Sequence, residues 1–389
     1  MRFQILLAVA LASFLAAGCG PSATDPAKDA LARARIRVTT AVLDTYAGTY
    51  QLASGAHLPV VRDGDRLFAG TALYELLPQT TRHFSSNHLP GEFHFERSAE
   101  GAIRLRRRLA KHDSICPRID CNVAEDPSRL VAVNDHQLRM LIAGSGSPTI
   151  VLEDGIGNGI ELQAELQAEL AKLSTTVSYD HAGTGGSGSG PFPRDATRIA
   201  HELRLALRSA GLAPPFVLIG GSIGAEYIRI FAAEFPEETS GLILLDPTPE
   251  WDRLIDWAAI HAPSRVDTYR RLVLDGDAMM DRLMSVQEPG RAAEWDALET
   301  TRGMAQRSVL SSETQIVQIT GAGGRQTSSI MDDKIRFFDD WLQKHLPQAR
   351  HVLARHSGHA VPITDRQLVL DEVQRLLVAL RRQKTAPLN

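Results

Sequence analysis

From residue 149 onward, short runs of uninterrupted apolar residues alternate with stretches of helical period, and this alternation restricts the possible folds more than any other feature. The runs are Thr149–Leu152, Thr176–Tyr179, Phe216–Ile219, Leu242–Leu245, Gln315–Thr320 and His351–Ala354. Helical spacing occupies Leu162–Leu173, Ile199–Ala210 and Gln367–Leu380; in the second, Ile199, Leu203, Ala206, Leu207 and Ala210 share one face. Strands without polar alternation are buried on both sides. The pattern therefore predicts an α/β domain with a mostly parallel sheet covered by helices on both faces. Leu130–Val133 and Leu138–Ile142, joined by a turn at Asn134-Asp135, predict a hairpin leading into that sheet. Residues 251–312 read as helical with no strong strand, between two sheet strands, and predict a cap (about 250–312) over the site.

The third run leads straight into Gly220-Gly221-Ser222-Ile223-Gly224, followed by helical spacing at Tyr227, Ile230 and Phe231. Strand, Gly-x-Ser-x-Gly and helix together are the setting of a nucleophile elbow. Such a turn holds its serine in a strained backbone, and a side chain at Gly220 or Gly224 would collide with the flanking strand or helix. It also leaves the Ile223 amide at a helix N-terminus, where it can stabilise an oxyanion. Gly155, Gly157 and Gly159 form a second glycine-rich turn after the first run. No Walker lysine follows them and their spacing fits no dinucleotide fingerprint.

The segment before residue 130 has a different texture. Short alternating runs (residues 48–52, 57–61, 66–69, 74–77, 83–84, 92–96 and 103–105) are separated by Gly, Asp, Asn and Pro turns and predict an antiparallel meander over 42–108. Tyr74, Phe84, Phe93 and Phe95 read as its core. Arg104–Arg108 is the densest basic patch and reads as a solvated strand end. A formal net charge of −4, with no basic run interleaved with aromatics, argues against nucleic acid as a partner. Residues 109–128 read as a linker carrying Cys116 and Cys121.

Met1-Arg2 and the apolar run Ile5–Ala17 predict an export signal, too short for a membrane span. Its end, Leu15-Ala16-Ala17-Gly18-Cys19, resembles a bacterial lipoprotein signal, which implies lipidation of Cys19, a tether over 20–41 and an outer-membrane lipoprotein facing the periplasm. In that oxidising compartment Cys116 and Cys121 are expected to form a small-loop disulfide.

Five ordered markers give residues 129–383 a strong resemblance to the α/β-hydrolases: Val151–Gly157, Tyr179–Ser187, the elbow, Leu244–Pro249 and Ser357-Gly358-His359. Residues Tyr46–Tyr50, Val61–Phe68 and Phe95–Arg97 resemble the small lipocalin-like β domain appended to serine β-lactamase-like peptidases, where it is an accessory. The first resemblance implies a serine hydrolase with Ser222 as nucleophile and His359 as base, His356 being the rival base. The loop at 321–326 offers no carboxylate, so the acid expected is Asp246, with Asp332 and Asp333 as alternatives. Ile156 is implied as the second oxyanion amide. Asp180 is expected to hold the glycine-rich loop after it, outside catalysis. Two positions depart from the family, which usually has histidine at 221 and often at 154; here they are Gly221 and Asp154. An ester or thioester is the expected small-molecule substrate, with no cofactor or metal implied. An aminopeptidase-like hydrolase of amides, and an inactive hydrolase fold that binds a ligand or partner, are the alternatives. Epoxide hydrolases and dehalogenases carry an aspartate where Ser222 stands.

Overall fold

The computed structural model describes residues 36–385, apart from 71–73, 87–90, 110–111, 120–125, 157–158, 249–250, 275–287 and 324–327. Cys19, the signal, most of the tether and Cys121 lie outside the described residues. No described helix is long and apolar enough to cross a membrane.

A helix α1 (Thr40–Tyr46) precedes eight antiparallel strands that close on themselves: β1 (Gly48–Gln51), β2 (His57–Asp63), β3 (Arg66–Ala69), β4 (Tyr74–Pro78), β5 (His83–Ser85), β6 (Glu92–Arg97), β7 (Ile103–Leu109) and β8 (His112–Ile119). Each strand pairs with the next and β1 pairs with β8, giving the closed up-and-down arrangement also seen in lipocalins. Alternation along the strands fills the interior with Tyr50, Leu58, Phe84, Phe93, Phe95, Leu105 and Cys116. Tyr74 belongs to β4, but its side chain is outside the described set.

Three expectations need correction here. The segment after 108 is the eighth strand rather than a linker, because Leu105 and Cys116 stand opposite each other on β7 and β8 and both point into the barrel. Cys116 is also a free cysteine, not half of a disulfide. A five-residue disulfide loop needs a turn soon after its first cysteine, whereas this backbone stays extended through Ile119. Burial pushes the Cys116 thiol up to about 11, which suits a core side chain and not a reactive one. Within the supposed solvated basic patch, Arg107 is fully buried and donates to the Glu161 carbonyl (2.8 Å), with the Glu165 carboxylate 3.6 Å away. The barrel is thus docked on the second domain.

That domain is an eight-stranded sheet in the order β16-β15-β14-β13-β11-β12-β10-β9. The hairpin β9 (Arg129–Val133) and β10 (His136–Ala143) is antiparallel; β11 (Thr149–Glu153), β12 (Thr176–Tyr179), β13 (Phe216–Gly221), β14 (Thr239–Leu245), β15 (Gln315–Gly321) and β16 (Arg350–Ala354) are parallel. Odd and even strand residues go to opposite faces. Leu218, Leu242, Leu244 and Ile316 pack with α3 (Ala196–Ser209) and α4 (Gly224–Glu234). Val217, Ile219, Ile243 and Ile319 pack with α2 (Ile160–Leu170) and the long α10 (Arg366–Thr385). The cap contains α5 (Trp251–His261), a helical stretch at 266–274, α6 (Pro289–Asp296) and α7 (Leu298–Arg307). Leu254, Ala258, Tyr269 and Val273 bind the cap to Phe337 and Phe338 on α8 (Ser328–His345). A short α9 (Val361–Thr364) follows the last strand.

Candidate active site

Parallel strands put all their carboxyl ends on one rim, and the loops at that rim carry the candidate residues. Ser222 follows β13 with φ +55°, a conformation that costs a non-glycine residue about 1–3 kcal/mol. Its amide is tied to the Leu245 carbonyl (3.0 Å). Packing makes both flanking glycines obligatory. A Cβ on Gly220 would sit 2.5 Å from the Gly224 carbonyl oxygen, and one on Gly224 would sit 2.6 Å from that of Asp154. We expect Gly224→Ala to remove activity by pushing the 153–156 loop off the elbow, or to yield no soluble protein. Steady-state kinetics on the purified variant checks this; near-normal turnover would contradict the packing argument.

The same loop carries the second expected amide. Gly155 lies against Ser222: a Cβ built on it is 3.3 Å from the Ser222 Cβ and 3.7 Å from Oγ. Ile156 is next in sequence and buried. Ile223 opens α4, where an amide has no intrahelical acceptor. Asp154 turns back to accept the Gly155 amide (2.8 Å), and its Oδ1 would be 3.5 Å from a Cβ at position 221. The two positions at which the resemblance breaks down therefore face each other.

Asp246 follows β14, also at positive φ (+41°), and is 2% exposed. Its Oδ1 accepts from the Gly321 amide (2.8 Å), its Oδ2 from His359 Nδ1 (2.7 Å), and Lys334 Nζ reaches both oxygens at 2.6 and 2.9 Å. Burial alone would push this carboxyl up. The Lys334 ammonium and the His359 hydrogen bond outweigh burial and hold it below the usual range, so it is ionised at neutral pH. Gly321 and Gly358 touch backbone to backbone, which presses the His359 loop onto the end of β15.

The rival candidates sit elsewhere. Asp333 is buried against Arg265 (2.5 and 2.8 Å) and the Tyr269 hydroxyl (2.8 Å), binding the cap to α8, and Asp332 is exposed. The His356 side chain is 79% exposed and bonds Asp365. Asp180 accepts from the Ile160 and Gly186 amides and pairs with Arg139, holding the loop that follows it.

Ser222 Oγ bonds Thr248 Oγ1 at 3.1 Å, and no bond to His359 is made in this conformation among the described residues. The two side chains nonetheless hang from adjacent residues, Ser222 through Leu245 and His359 through Asp246. Thr248 in turn lines a small recess, with a cavity volume of only about 20 Å³, walled by Leu244, Phe337, Phe338 and Trp341, with the buried Glu226–Arg229 pair (2.7 Å) on one side. Beside the loop, His181 is buried between Glu153 (2.6 Å) and Glu294 of the cap (2.8 Å).

Sequence reasoning gave no role to Thr248, Lys334, Glu153, His181 or Glu294. Of these, only Glu153, His181 and Thr248 stand within motifs that carried the resemblance.

Residues 148–282 match the family model described as alpha/beta hydrolase fold. An AB hydrolase superfamily protein of Gibberella zeae is 26% identical over 60% of this chain and 87% of its own length. The uncharacterized protein YqjL of Bacillus subtilis is 34% identical over 27% of this chain, which spans about two fifths (41%) of that relative. Among solved structures, an epoxide hydrolase, CorEH, is similar with 19% identity, covering 65% of this chain and 99% of its own, at a TM-score of 0.46.

Proposed function

We propose that this protein, whose second domain has the α/β-hydrolase fold, is a serine hydrolase that cleaves a carboxylic ester or thioester through an acyl-enzyme. One observation carries the reading: an ionised, buried carboxylate orients an imidazole at the rim where a strained serine stands. With Nδ1–H donated to Asp246, His359 Nε2 carries a lone pair and can take the Ser222 proton as Oγ attacks the carbonyl carbon. The amides of Ile223 and Ile156 then stabilise the oxyanion. Collapse of the tetrahedral intermediate releases the alcohol or thiol, which takes the proton from His359. Water, deprotonated by the same imidazole, then attacks the acyl-enzyme and frees Ser222. The Met1–Cys19 pattern supports an exported, Cys19-anchored lipoprotein of the cell envelope.

The Ser222–Thr248 bond favours a second reading, a hydrolase fold that binds without catalysing. A fluorophosphonate probe separates the two. Wild-type protein is expected to be labelled and Ser222→Ala not. No labelling of wild type, or equal labelling of both, would remove the enzyme reading. Nitrophenyl esters of increasing chain length, assayed beside aminoacyl anilides, rank ester against amide.

A further inference from the structure

On the barrel, far in sequence from the rim residues, pairing of β5 with β6 sets His83 directly opposite His94 and Ser85 opposite Glu92. Strand alternation sends Phe84, Phe93 and Phe95 into the core, leaving His83, His94 and Glu92 together on the outer face. The two imidazoles stack with centroids 4.1 Å apart and planes 11° from parallel. Both Nε2 atoms face one carboxylate: His94 Nε2 lies 3.2 Å from Glu92 Oε2, and His83 Nε2 lies 3.8 Å from Oε1. His83 Nε2 is shielded from solvent and has no hydrogen-bond partner. A buried polar atom left without a partner is costly, which marks this nitrogen as incomplete.

We propose that His83, Glu92 and His94 form a binding site for a divalent transition metal of the zinc class. An ion with bonds of about 2.0–2.2 Å to nitrogen and oxygen holds its donors no more than roughly 4.4 Å apart. The two histidine–glutamate separations already meet that limit, and one donor atom from each of the three residues falls within 4.8 Å of the others; the stacked rings need only rotate about their side-chain torsions to turn both lone pairs onto one ion. Two imidazoles and one carboxylate select zinc, cobalt or nickel over magnesium or calcium. Arg108 bonds Asp113 at 2.8 Å and reaches Glu92 Oε2 only at 3.9 Å, and Arg106 pairs with Glu96 at 2.9 Å, so the arginine contact to Glu92 is a long one that an ion would displace. Side chains 26%, 26% and 42% exposed place the cluster at the barrel surface, within reach of an ion from solvent. The site joins two adjacent barrel strands and is independent of the hydrolase reading.

The competing account is a plain cross-strand histidine–glutamate ladder that holds no ion. Chelator-treated full chain is titrated with Co²⁺, followed by its visible d–d bands, and with Zn²⁺ by calorimetry and thermal melting. The expected result is one equivalent bound, with a melting temperature that rises with Zn²⁺. His94→Ala and Glu92→Gln should each weaken binding about tenfold or more and lose the rise. Glu92→Gln preserves side-chain shape and decides the matter if His94→Ala does not fold. No stoichiometric binding by the wild type, or unchanged binding by the variants, overturns the site. Ester hydrolysis plays no part in any arm, so a failed metal test leaves the serine reading untouched, and the reverse.

Discussion

Replacing Asp246 with asparagine is expected to lower kcat on an ester substrate by about 10⁴-fold with little change in KM. The asparagine carbonyl can still accept from the Gly321 amide, so the backbone around the site keeps its principal tie. Its amide group, however, meets His359 Nδ1 with a donor. The imidazole then adopts the other tautomer, with its hydrogen on Nε2, and can no longer take a proton from Ser222. Lys334 complicates the experiment, because its ammonium would lose the carboxylate it contacts through both oxygens. Part of the loss could then reflect an unpaired cation of low exposure instead of the wrong tautomer. The double variant Asp246→Asn/Lys334→Met separates these causes: it is expected to recover thermal stability but not turnover. A single variant within tenfold of wild type, or a double variant restored to wild-type rates, would take Asp246 out of the triad. Circular dichroism on each protein guards against a folding artefact.

How far the sequence allowed this to be foreseen depends on which physical signal each part carries. The sheet was legible because its strands are buried on both faces and read as unbroken apolar runs; predicted Thr149–Leu152, Thr176–Tyr179 and Phe216–Ile219 differ from the observed strands by at most two residues at an end. Seven barrel strands were legible through their alternation. The eighth was hidden because His112–Ile119 includes Asp113, Ser114, Pro117 and Arg118, a composition that mimics a loop. Among its described side chains the one deeply buried is a cysteine, which invited a covalent reading instead of a packing one.

The elbow could be read because its glycines are forced by sterics, and the structure shows the atoms they avoid. The acid was ambiguous for a different reason. Asp246 directly follows one strand while Asp332 and Asp333 come after the next, inside α8, and only tertiary contact shows that Asp246 meets His359 whereas Asp333 meets Arg265. Lys334 could not be anticipated. It is one of many cations on a helix surface until α8 is laid over the end of β14. Arg107 misled in the same way, since a basic cluster signals solvent unless another domain covers it.

The buried triad Glu153–His181–Glu294 gives the second large expected effect, on stability. Burial opposes charge on His181, but the carboxylates of Glu294 and Glu153, each within hydrogen-bond distance, overcome it and raise the imidazole well above its usual 6.5. The Tyr179 hydroxyl also donates to Glu153, and the Tyr227 ring lies 5.7 Å from the imidazole. His181→Gln leaves two buried carboxylates with no cation between them, at a cost of about 3–5 kcal/mol. For a domain of this size that corresponds to a melting temperature lower by roughly 10 °C. The pH dependence carries a defined sign. A group whose folded pKa is raised contributes its full stabilisation below the unfolded value, near 6.5, and loses it as pH climbs through the folded value. Wild-type stability should therefore decline on going alkaline from about pH 6.5, and this decline should be shallower in His181→Gln. Asp180, pushed up to about 6 by burial and by Glu161 against the opposing pull of Arg139, adds a slope of the same sign, but mainly at lower pH. Denaturant melts of both proteins at several pH values from 6.5 upward isolate the histidine. Parallel curves would mean that His181 is neutral in the folded protein. A steeper wild-type curve would show that the cap, through Glu294, is tied by charge to the strand end that leads into the oxyanion loop.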